Sequence, residues 1–209
     1  DYINNKNQFK KEEVNDISIN NKLLYEANEF SKSIIKKSII FREISIKKVN
    51  NNDINLIKVD NFDLVSSKFT PALTLPESLG FKNLIVHPNS LSPLQKNNKK
   101  FAELEQIGNG KILIQLFVRG KPFVGLDYKN DHWVEAIKNL EIEERLSAIV
   151  VYGCPYLFDK IKRSIHYSIP LAYSPSQSEE AQNQILRRIL NSKISPEKID
   201  KKSSHLFTD

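Results

Sequence analysis

Cysteine, methionine and glycine are scarce in this 209-residue chain, which has one Cys, no Met and six Gly. A single cysteine, Cys154, excludes an internal disulfide and any zinc site built from several thiolates. The phosphate-binding signatures Gly-x-Gly-x-x-Gly and the P-loop do not occur. No stretch approaches the roughly 20 apolar residues that a membrane-spanning helix requires. We therefore expect no nucleotide-binding loop, no cofactor and no membrane partner.

The charge of the chain is basic but dispersed. Lys and Arg number 31 against 25 Asp and Glu, which gives a net charge of +6. The nearest approaches to clusters are Lys36 with Lys37, and Lys96 with Lys99 and Lys100, and neither is interleaved with aromatic residues. Because a nucleic-acid footprint needs basic residues concentrated on one face, we expect no nucleic-acid partner.

The N-terminal segment is polar and has no apolar core of a signal peptide. The sequence begins with Asp1 and not with Met, so we expect either a fragment or a chain that has lost a leader. The compartment stays open, with the absent signal core favouring the cytoplasm. We predict three regions: a polar arm or linker at 1–18, an α/β domain at 19–193 and a charged tail at 194–209.

The periodicity of apolar residues predicts the elements of this domain. A helix is expected from about residue 20 to 40, because Leu23, Ala27, Phe30 and Ile34 form one apolar stripe. The segment 38–41 is β-branched and favours an extended end. Apolar runs predict strands at 54–59, 84–87, 111–118, 148–152 and 169–173, and Pro170 favours an edge position for the last. Helices are expected at about 99–106, 131–146, 156–164 and 179–191.

Strands and helices alternate from residue 54 to 191 in this interpretation. Such alternation implies right-handed crossovers and a mainly parallel sheet between two layers of helices. About five strands fit a flavodoxin-like three-layer α/β sandwich. The run 112–118, between Gly110 and Gly120, is almost entirely apolar and is predicted to be a central strand.

No complete catalytic set is evident among the titratable residues. The four histidines, at 87, 132, 166 and 205, are far apart in sequence, so no metal site is expected. Cys154 precedes Pro155, a pairing typical of turn geometry more than of a reactive thiol. Asp127 and Asp131 fit turn and N-cap roles, and the glutamates at 141, 143 and 144 fit a solvated helix face. We therefore assign no catalytic residue.

What remains are three Pro-stiffened loops that follow strands, at 119–123, 152–156 and 173–182. Because the carboxyl ends of parallel strands form one edge of the sheet, these loops should build a common docking face. A guanidinium there can reach a carboxylate, a sugar hydroxyl or a neighbouring domain. The candidates for contact with a substrate or a domain are Arg119, Lys121, Phe123, Tyr152, Tyr156 and Tyr173.

Four stretches, in the same order, resemble the C-terminal α/β domain of family 3 glycoside hydrolases. Residues 114–123, Ile-Gln-Leu-Phe-Val-Arg-Gly-Lys-Pro-Phe, are similar to its "vFvRGNPF" strand and loop. Residues 150–156 are similar to "YGSPY", residues 169–182 to "iPyvFsYgQ…AAQ", and residues 55–60 to "NLIRVDD". The best match is to bacterial β-N-acetylglucosaminidase-like members. Lys121 stands where the family has Asn, and Cys154 where it has Ser.

The resemblance implies an accessory domain of a retaining β-glycosidase, β-N-acetylhexosaminidase-like in activity. Family members carry their nucleophilic Asp and a His–Asp acid–base pair on an N-terminal (β/α)8 barrel. The expected partners are therefore that barrel and a carbohydrate at the interface between the domains, and the chain alone should be inactive. Two alternatives stay open: a stand-alone flavodoxin-like interaction module without catalytic activity, and an independent hydrolase that uses Cys154.

Overall fold

The computed structural model of the protein describes residues 2–42, 45–46, 48–59, 70–86, 109–118 and 131–190. It divides the chain into two compact units, residues 1–38 and 39–209. The helices are α1 Tyr2–Ser38, α2 Pro71–Ser78, α3 Asp131–Ile142, α4 Pro155–Ser164 and α5 Glu179–Ile189. The strands are β1 Ile40–Phe41, β2 Ile54–Val59, β3 Lys82–Val86, β4 Ile112–Val118, β5 Leu146–Gly153 and β6 Leu171–Ser174.

The first unit is one helix of 37 residues, α1. We predicted a helix from about residue 20, and the structure begins it at Tyr2. Residues 2–19 contain neither Pro nor Gly and include three Lys, two Glu and one Gln, which are good helix formers. The helix therefore extends through a segment that has no apolar stripe to indicate it. The expected boundary between arm and domain at residue 18 stays a prediction.

The second unit contains a sheet of six described strands in the order β1-β6-β5-β4-β2-β3. The pairs from β3 through to β6 are all parallel, and β1 joins β6 in antiparallel orientation. Numbered from β2, the five parallel strands have the flavodoxin-like order 2-1-3-4-5. The predicted three-layer α/β sandwich is confirmed, and β1 adds the extended end that was expected near residue 41.

Two predictions about element position were wrong. Pro170 was expected to place β6 at an edge, but it lies just before the strand, and β1 covers the outer side. The Pro170 carbonyl accepts from the Ile149 N–H at 2.9 Å, so the ring occupies a site where no donor is needed. Helix α3 was expected to reach Leu146 but ends at Ile142, because Glu144 has a φ of 55° and turns the chain into β5.

The two faces of the sheet bury separate apolar clusters. Ile114 and Leu116 of β4 face Trp133 and Ile137 of α3, together with α4. Phe117 of β4 lies on the opposite face, in a cluster with residues of α2 and α5. The predicted buried stripes of α3 (Trp133, Ile137, Leu140) and α5 (Ala181, Ile185, Ile189) are confirmed. Among the described residues, no helix combines the length and the apolarity that a membrane crossing would need.

Candidate functional site

The crossovers change sides of the sheet between β2 and β4. Helix α2, which follows β2, belongs to one face, and α3, which follows β4, belongs to the other. In open α/β sheets this switch point, at the carboxyl ends of the strands, opens a crevice where ligands bind. The strands end there at Val59 and Val118. Arg119, Lys121 and Phe123 follow Val118 in sequence and lie outside the residues that the structure describes.

A set of buried amides crosses the sheet beneath this edge. The phenol of Tyr152 in β5 is fully buried and donates to Oε1 of Gln115 in β4 at 3.2 Å. Nε2 of Gln115 donates to Oδ1 of Asn55 in β2 at 2.7 Å and to the Ala72 carbonyl of α2 at 2.8 Å. Nδ2 of Asn55 donates to the same carbonyl at 2.8 Å and to Oδ1 of Asn83 in β3 at 2.7 Å. Four strands and a helix are thus joined by polar contacts, which are buried at Tyr152, Gln115 and Asn55 and reach the surface at Asn83.

The polar contacts return to their starting residue through α5. The Ala72 N–H donates to Oε1 of Gln182 at 3.0 Å, and Nε2 of Gln182 donates to the Gln177 carbonyl at 2.9 Å. Nε2 of Gln177 then donates to the Tyr152 carbonyl at 3.3 Å. We call this closed path, through Tyr152, Gln115, Ala72, Gln182 and Gln177, the amide circuit. It fixes the loop between β6 and α5 against the end of β5.

Gly153, which has no side chain, lets the loop between β6 and α5 lie close against the end of β5. Its φ is +96°, and a Cβ at this position would lie 2.5 Å from the Val118 carbonyl oxygen and 2.7 Å from Nε2 of Gln177. A side chain would therefore meet backbone on one side and the amide circuit on the other. The carboxyl ends of β4 and β5 and the loop after β6 converge at this point.

The loop after β6 presents hydroxyl groups at the same edge. Ser174 is buried, and its Oγ accepts from the Ser176 N–H at 3.0 Å. Oγ of Ser176 donates to Oγ of Ser178 at 2.9 Å. Ser178 caps α5, its Oγ accepting from the Ala181 N–H at 3.4 Å. The first turn of α5 carries Glu179 and Glu180, so this helix end suits neutral hydroxyls better than an anion.

The structure separates the three candidate tyrosines. Tyr156 follows the carboxyl end of β5 in the first turn of α4 and is 60% exposed, so it is available for contacts. Tyr173 is 7% exposed and stacks on Phe158, with ring centroids 5.0 Å apart. Tyr152 is inside and stacks on Phe117 at 4.3 Å. Of the three, Tyr156 alone projects to solvent, and Tyr152 holds other residues in position.

Burial also sets the ionisation of two of these phenols. Complete burial raises the pKa of Tyr152 well above its usual value of 10.0. The phenol therefore stays protonated and remains a donor to Gln115. Burial is also the main cause that raises the pKa of Tyr173, with smaller contributions from nearby Cys154 and Asp159. Neither residue is disposed to act as a base.

The described residues hold no group of three or more His, Cys, Asp or Glu side chains that could bind a metal ion. Nδ1 of His166 contacts Oγ of Ser168 at 2.8 Å, and the His166 N–H donates to Oε1 of Glu141 at 2.6 Å. Cys154 is a free thiol, 4% exposed, at the N-cap of α4. Its position before Pro155 at the helix start agrees with the predicted turn geometry.

Sequence reasoning missed the residues of the amide circuit. A Gln inside an apolar strand gave no indication of its partners, which are 43 to 60 residues away in Ala72 and Asn55. The sequence did indicate two other residues of the amide circuit. Gln177 and Gln182 both lie in the stretch 169–182 on which the family resemblance rested, at the positions where that pattern has Gln. Those glutamines could have been singled out before the structure was known.

The strand order defines a doubly wound α/β domain, and hydrogen bonds hold the loop after β6 at the carboxyl ends of its strands. Residues 46–191 match the family model of the bacterial glycosyl hydrolase family 3 C-terminal domain. Since the match covers more than half of the chain, the protein belongs to this family. No curated protein matches the chain significantly.

Proposed function

We propose that the chain is the accessory C-terminal domain of a retaining β-glycosidase that acts on β-N-acetylhexosaminides. In this proposal the catalytic residues lie on an N-terminal (β/α)8 barrel of the same protein. The observation that carries it is the family match over residues 46–191. A C-terminal domain of this family implies a larger family 3 protein with an N-terminal domain.

The chemistry of the reaction assigns the two domains different tasks. A retaining glycosidase needs a nucleophile on one side of the scissile bond and an acid–base group on the other, in most families two carboxyl groups about 5 Å apart. In this proposal the nucleophile is an Asp and the acid–base group is the His–Asp pair that the family resemblance implies. We place both on the barrel. The task of this domain is to present a rigid edge to the barrel and to the outer part of the sugar. The amide circuit supports that task, because it immobilises the loop after β6 before any partner binds.

Specific residues fit contacts at that edge. The hydroxyls of Ser176 and Ser178 and the exposed phenol of Tyr156 are neutral donors and acceptors, which match sugar hydroxyls. Arg119 follows the central strand β4 directly, and we propose that it contacts the substrate or a carboxylate of the barrel. Lys121 and Phe123 are proposed as further contacts of the same loop.

The test compares the 209-residue chain with the complete encoded polypeptide on a nitrophenyl β-N-acetylglucosaminide. We expect no release of nitrophenol by the chain alone and steady release by the complete polypeptide. Iodoacetamide treatment of Cys154 should leave that activity unchanged, since the thiol is buried and has no catalytic role here. Turnover by the isolated chain would refute the proposal, and turnover that iodoacetamide abolishes would favour a hydrolase that uses Cys154.

A further inference from the structure

The hydroxyl of Thr70 is buried and makes no hydrogen bond. Among the residues that the structure describes, its Oγ1 is the one buried side-chain oxygen or nitrogen without a hydrogen-bond partner. Thr70 is 4% exposed and is the N-cap residue of α2. Because a buried hydroxyl without a partner lowers stability, a native protein that keeps one calls for a specific explanation.

Helix α2 has one backbone donor at its start that needs an acceptor from a side chain. Pro71, at position N1, has no N–H. The N–H groups of Leu73 and Thr74 both donate to the Thr70 carbonyl, at 2.9 and 3.0 Å. The donor that is left is the N–H of Ala72, at position N2. An N-cap side chain is the usual acceptor for such a group, but Oγ1 of Thr70 makes no hydrogen bond to the helix.

Gln182 of α5 supplies the acceptor instead. Its Oε1 accepts from the Ala72 N–H at 3.0 Å, and its Nε2 donates to the Gln177 carbonyl at 2.9 Å. One carboxamide therefore caps α2 and at the same time holds the loop after β6. Two side-chain acceptors, on Gln182 and on Thr70, thus compete for one donor, and the structure shows the first of them in place.

The shape of threonine allows the two acceptors to exchange. Rotation about χ1 interchanges Oγ1 and the methyl group of Thr70, which are similar in size, so the neighbours need little adjustment. The φ of −67° and ψ of 140° at Thr70 lie in the extended region that N-cap residues adopt. The exchange gains one hydrogen bond for the idle hydroxyl and gives up one made by Gln182. The two arrangements therefore lie close in free energy.

We propose that the start of α2 is a two-state switch in which Thr70 and Gln182 exchange as the cap of Ala72. In the first state Gln182 caps α2, and the amide circuit holds the loop after β6. In the second state Oγ1 of Thr70 accepts from the Ala72 N–H, and the Gln182 carboxamide moves away with the loop. The hydroxyls of Ser176 and Ser178 can then adjust to a ligand without leaving a buried donor unpaired. The switch goes beyond the proposed function and depends neither on the sugar nor on another domain.

Native-state amide exchange in the 209-residue chain tests the switch at Ser176, whose N–H donates to Oγ of Ser174 within the loop. Thr70→Val keeps the side-chain shape but removes Oγ1, so opening of the loop with Gln182 would leave the Ala72 N–H unpaired. We expect exchange at Ser176 to become about tenfold slower or more. The unit 39–209 should not lose stability, because the variant also removes a buried hydroxyl without a partner. Thr70→Ser keeps the hydroxyl and is the matched control, with exchange at Ser176 as in the wild type.

Urea unfolding followed by Trp133 fluorescence gives a second, independent measurement. Gln182→Met keeps the length of the side chain but removes its acceptor, and in the presence of Thr70 the hydroxyl can replace it. In the Thr70→Val background both caps are absent, so the Ala72 N–H stays unpaired. There the same Gln182→Met substitution should raise the unfolding equilibrium constant by about tenfold more than it does in the wild type.

Three results would overturn the inference. A loss of stability in Thr70→Val would show that the hydroxyl has a partner, and unchanged exchange at Ser176 would show that the loop opens without the exchange of caps. Additive effects of Thr70→Val and Gln182→Met would show that Thr70 does not replace Gln182. No substrate is used in these measurements, so failure of the switch would leave the glycosidase proposal standing, and failure of that proposal would leave the switch standing.

Discussion

Gln177 occupies the space that a side chain at Gly153 would need, since a Cβ there would lie 2.7 Å from Nε2 of Gln177. The same Nε2 donates to the Tyr152 carbonyl at 3.3 Å and so closes the amide circuit. The Val118 carbonyl oxygen, 2.5 Å from the same Cβ position, is the fixed group that excludes a larger residue. The close approach joins the ends of two strands to the loop after β6. That loop is the part of the described structure that we assign to the domain edge.

Gly153→Ala should destabilise the unit 39–209 by about 2–4 kcal/mol. The substitution adds strain at a φ of +96° and a contact of 2.5 Å with the Val118 carbonyl oxygen, which is backbone and cannot move aside cheaply. Urea unfolding followed by Trp133 fluorescence measures the change, because Trp133 is the only Trp and is buried in this unit. Gly80→Ala is the matched control. Its φ is +103°, but its nearest neighbour, Oδ1 of Asn51, lies 3.4 Å away, so about 1 kcal/mol is expected.

The amide circuit should respond to substitution as a coupled unit. Gln115→Ala removes the hydrogen bonds that Gln115 makes to the Tyr152 hydroxyl and to Oδ1 of Asn55. It should lower the free energy of unfolding by about 2–4 kcal/mol. Tyr152→Phe keeps the stack on Phe117 and should cost about 1 kcal/mol. The double variant should lose less stability than the sum of the two single losses, by about 0.5–1 kcal/mol. Strict additivity in urea unfolding would contradict the hydrogen bond between these side chains.

The buried phenols predict a loss of stability at alkaline pH. The folded-state pKa of Tyr152 is raised above 10, the usual pKa of the unfolded chain. The protonated phenol therefore makes its full contribution to folding stability below pH 10. As the pH rises above 10, the unfolded chain releases this proton while the folded chain retains it. Stability then falls by up to about 1.4 kcal/mol per pH unit until the folded pKa is reached. Tyr152→Phe should flatten this fall, and Tyr173→Phe should flatten it less. Equal slopes in wild type and Tyr152→Phe would contradict the account.

Arg42 should resist replacement by Lys although it is not part of the edge. Its Nη1 donates to the His166 carbonyl at 2.7 Å and its Nη2 to the Lys162 carbonyl at 2.8 Å, which caps the end of α4. Lys preserves the charge but not the planar fork, so Arg42→Lys should cost about 1–2 kcal/mol in urea unfolding. Arg163→Lys, at an exposed position in α4, serves as control and should change stability by less than about 0.5 kcal/mol. Equal losses of stability in Arg42→Lys and Arg163→Lys would contradict the capping role of Arg42.

The parts of the fold that the sequence predicted are those with a local cause. The strands β2 and β4 were expected at 54–59 and 111–118 because each stretch is rich in apolar residues, and the structure gives Ile54–Val59 and Ile112–Val118. The stripes of α3 and α5 followed from a period of 3.6 residues. In contrast, the two-residue strand β1 is too short for a periodic signal, and its pairing with β6 made the edge position inferred from Pro170 wrong.

The candidate site was less predictable because its cause is tertiary. Tyr152 was singled out as a possible contact, yet the parallel pairing of β5 with β4 and β6 buries it completely. The role of Gln115 depends on Asn55, 60 residues earlier, which no local pattern connects to it. Tyr156, at the first turn of α4, is the candidate tyrosine whose exposure suits a contact. Its contact with a substrate or domain stays a prediction, as do those of Arg119, Lys121 and Phe123.

The most direct test of the central claim is proton NMR of the anomeric signals during hydrolysis of a nitrophenyl β-N-acetylglucosaminide. Parallel samples hold the 209-residue chain and the complete encoded polypeptide. We predict that the complete polypeptide first releases the β-anomer, as retention requires, and that the chain alone leaves the substrate intact. Release of sugar by the chain alone, or first appearance of the α-anomer, would contradict the account.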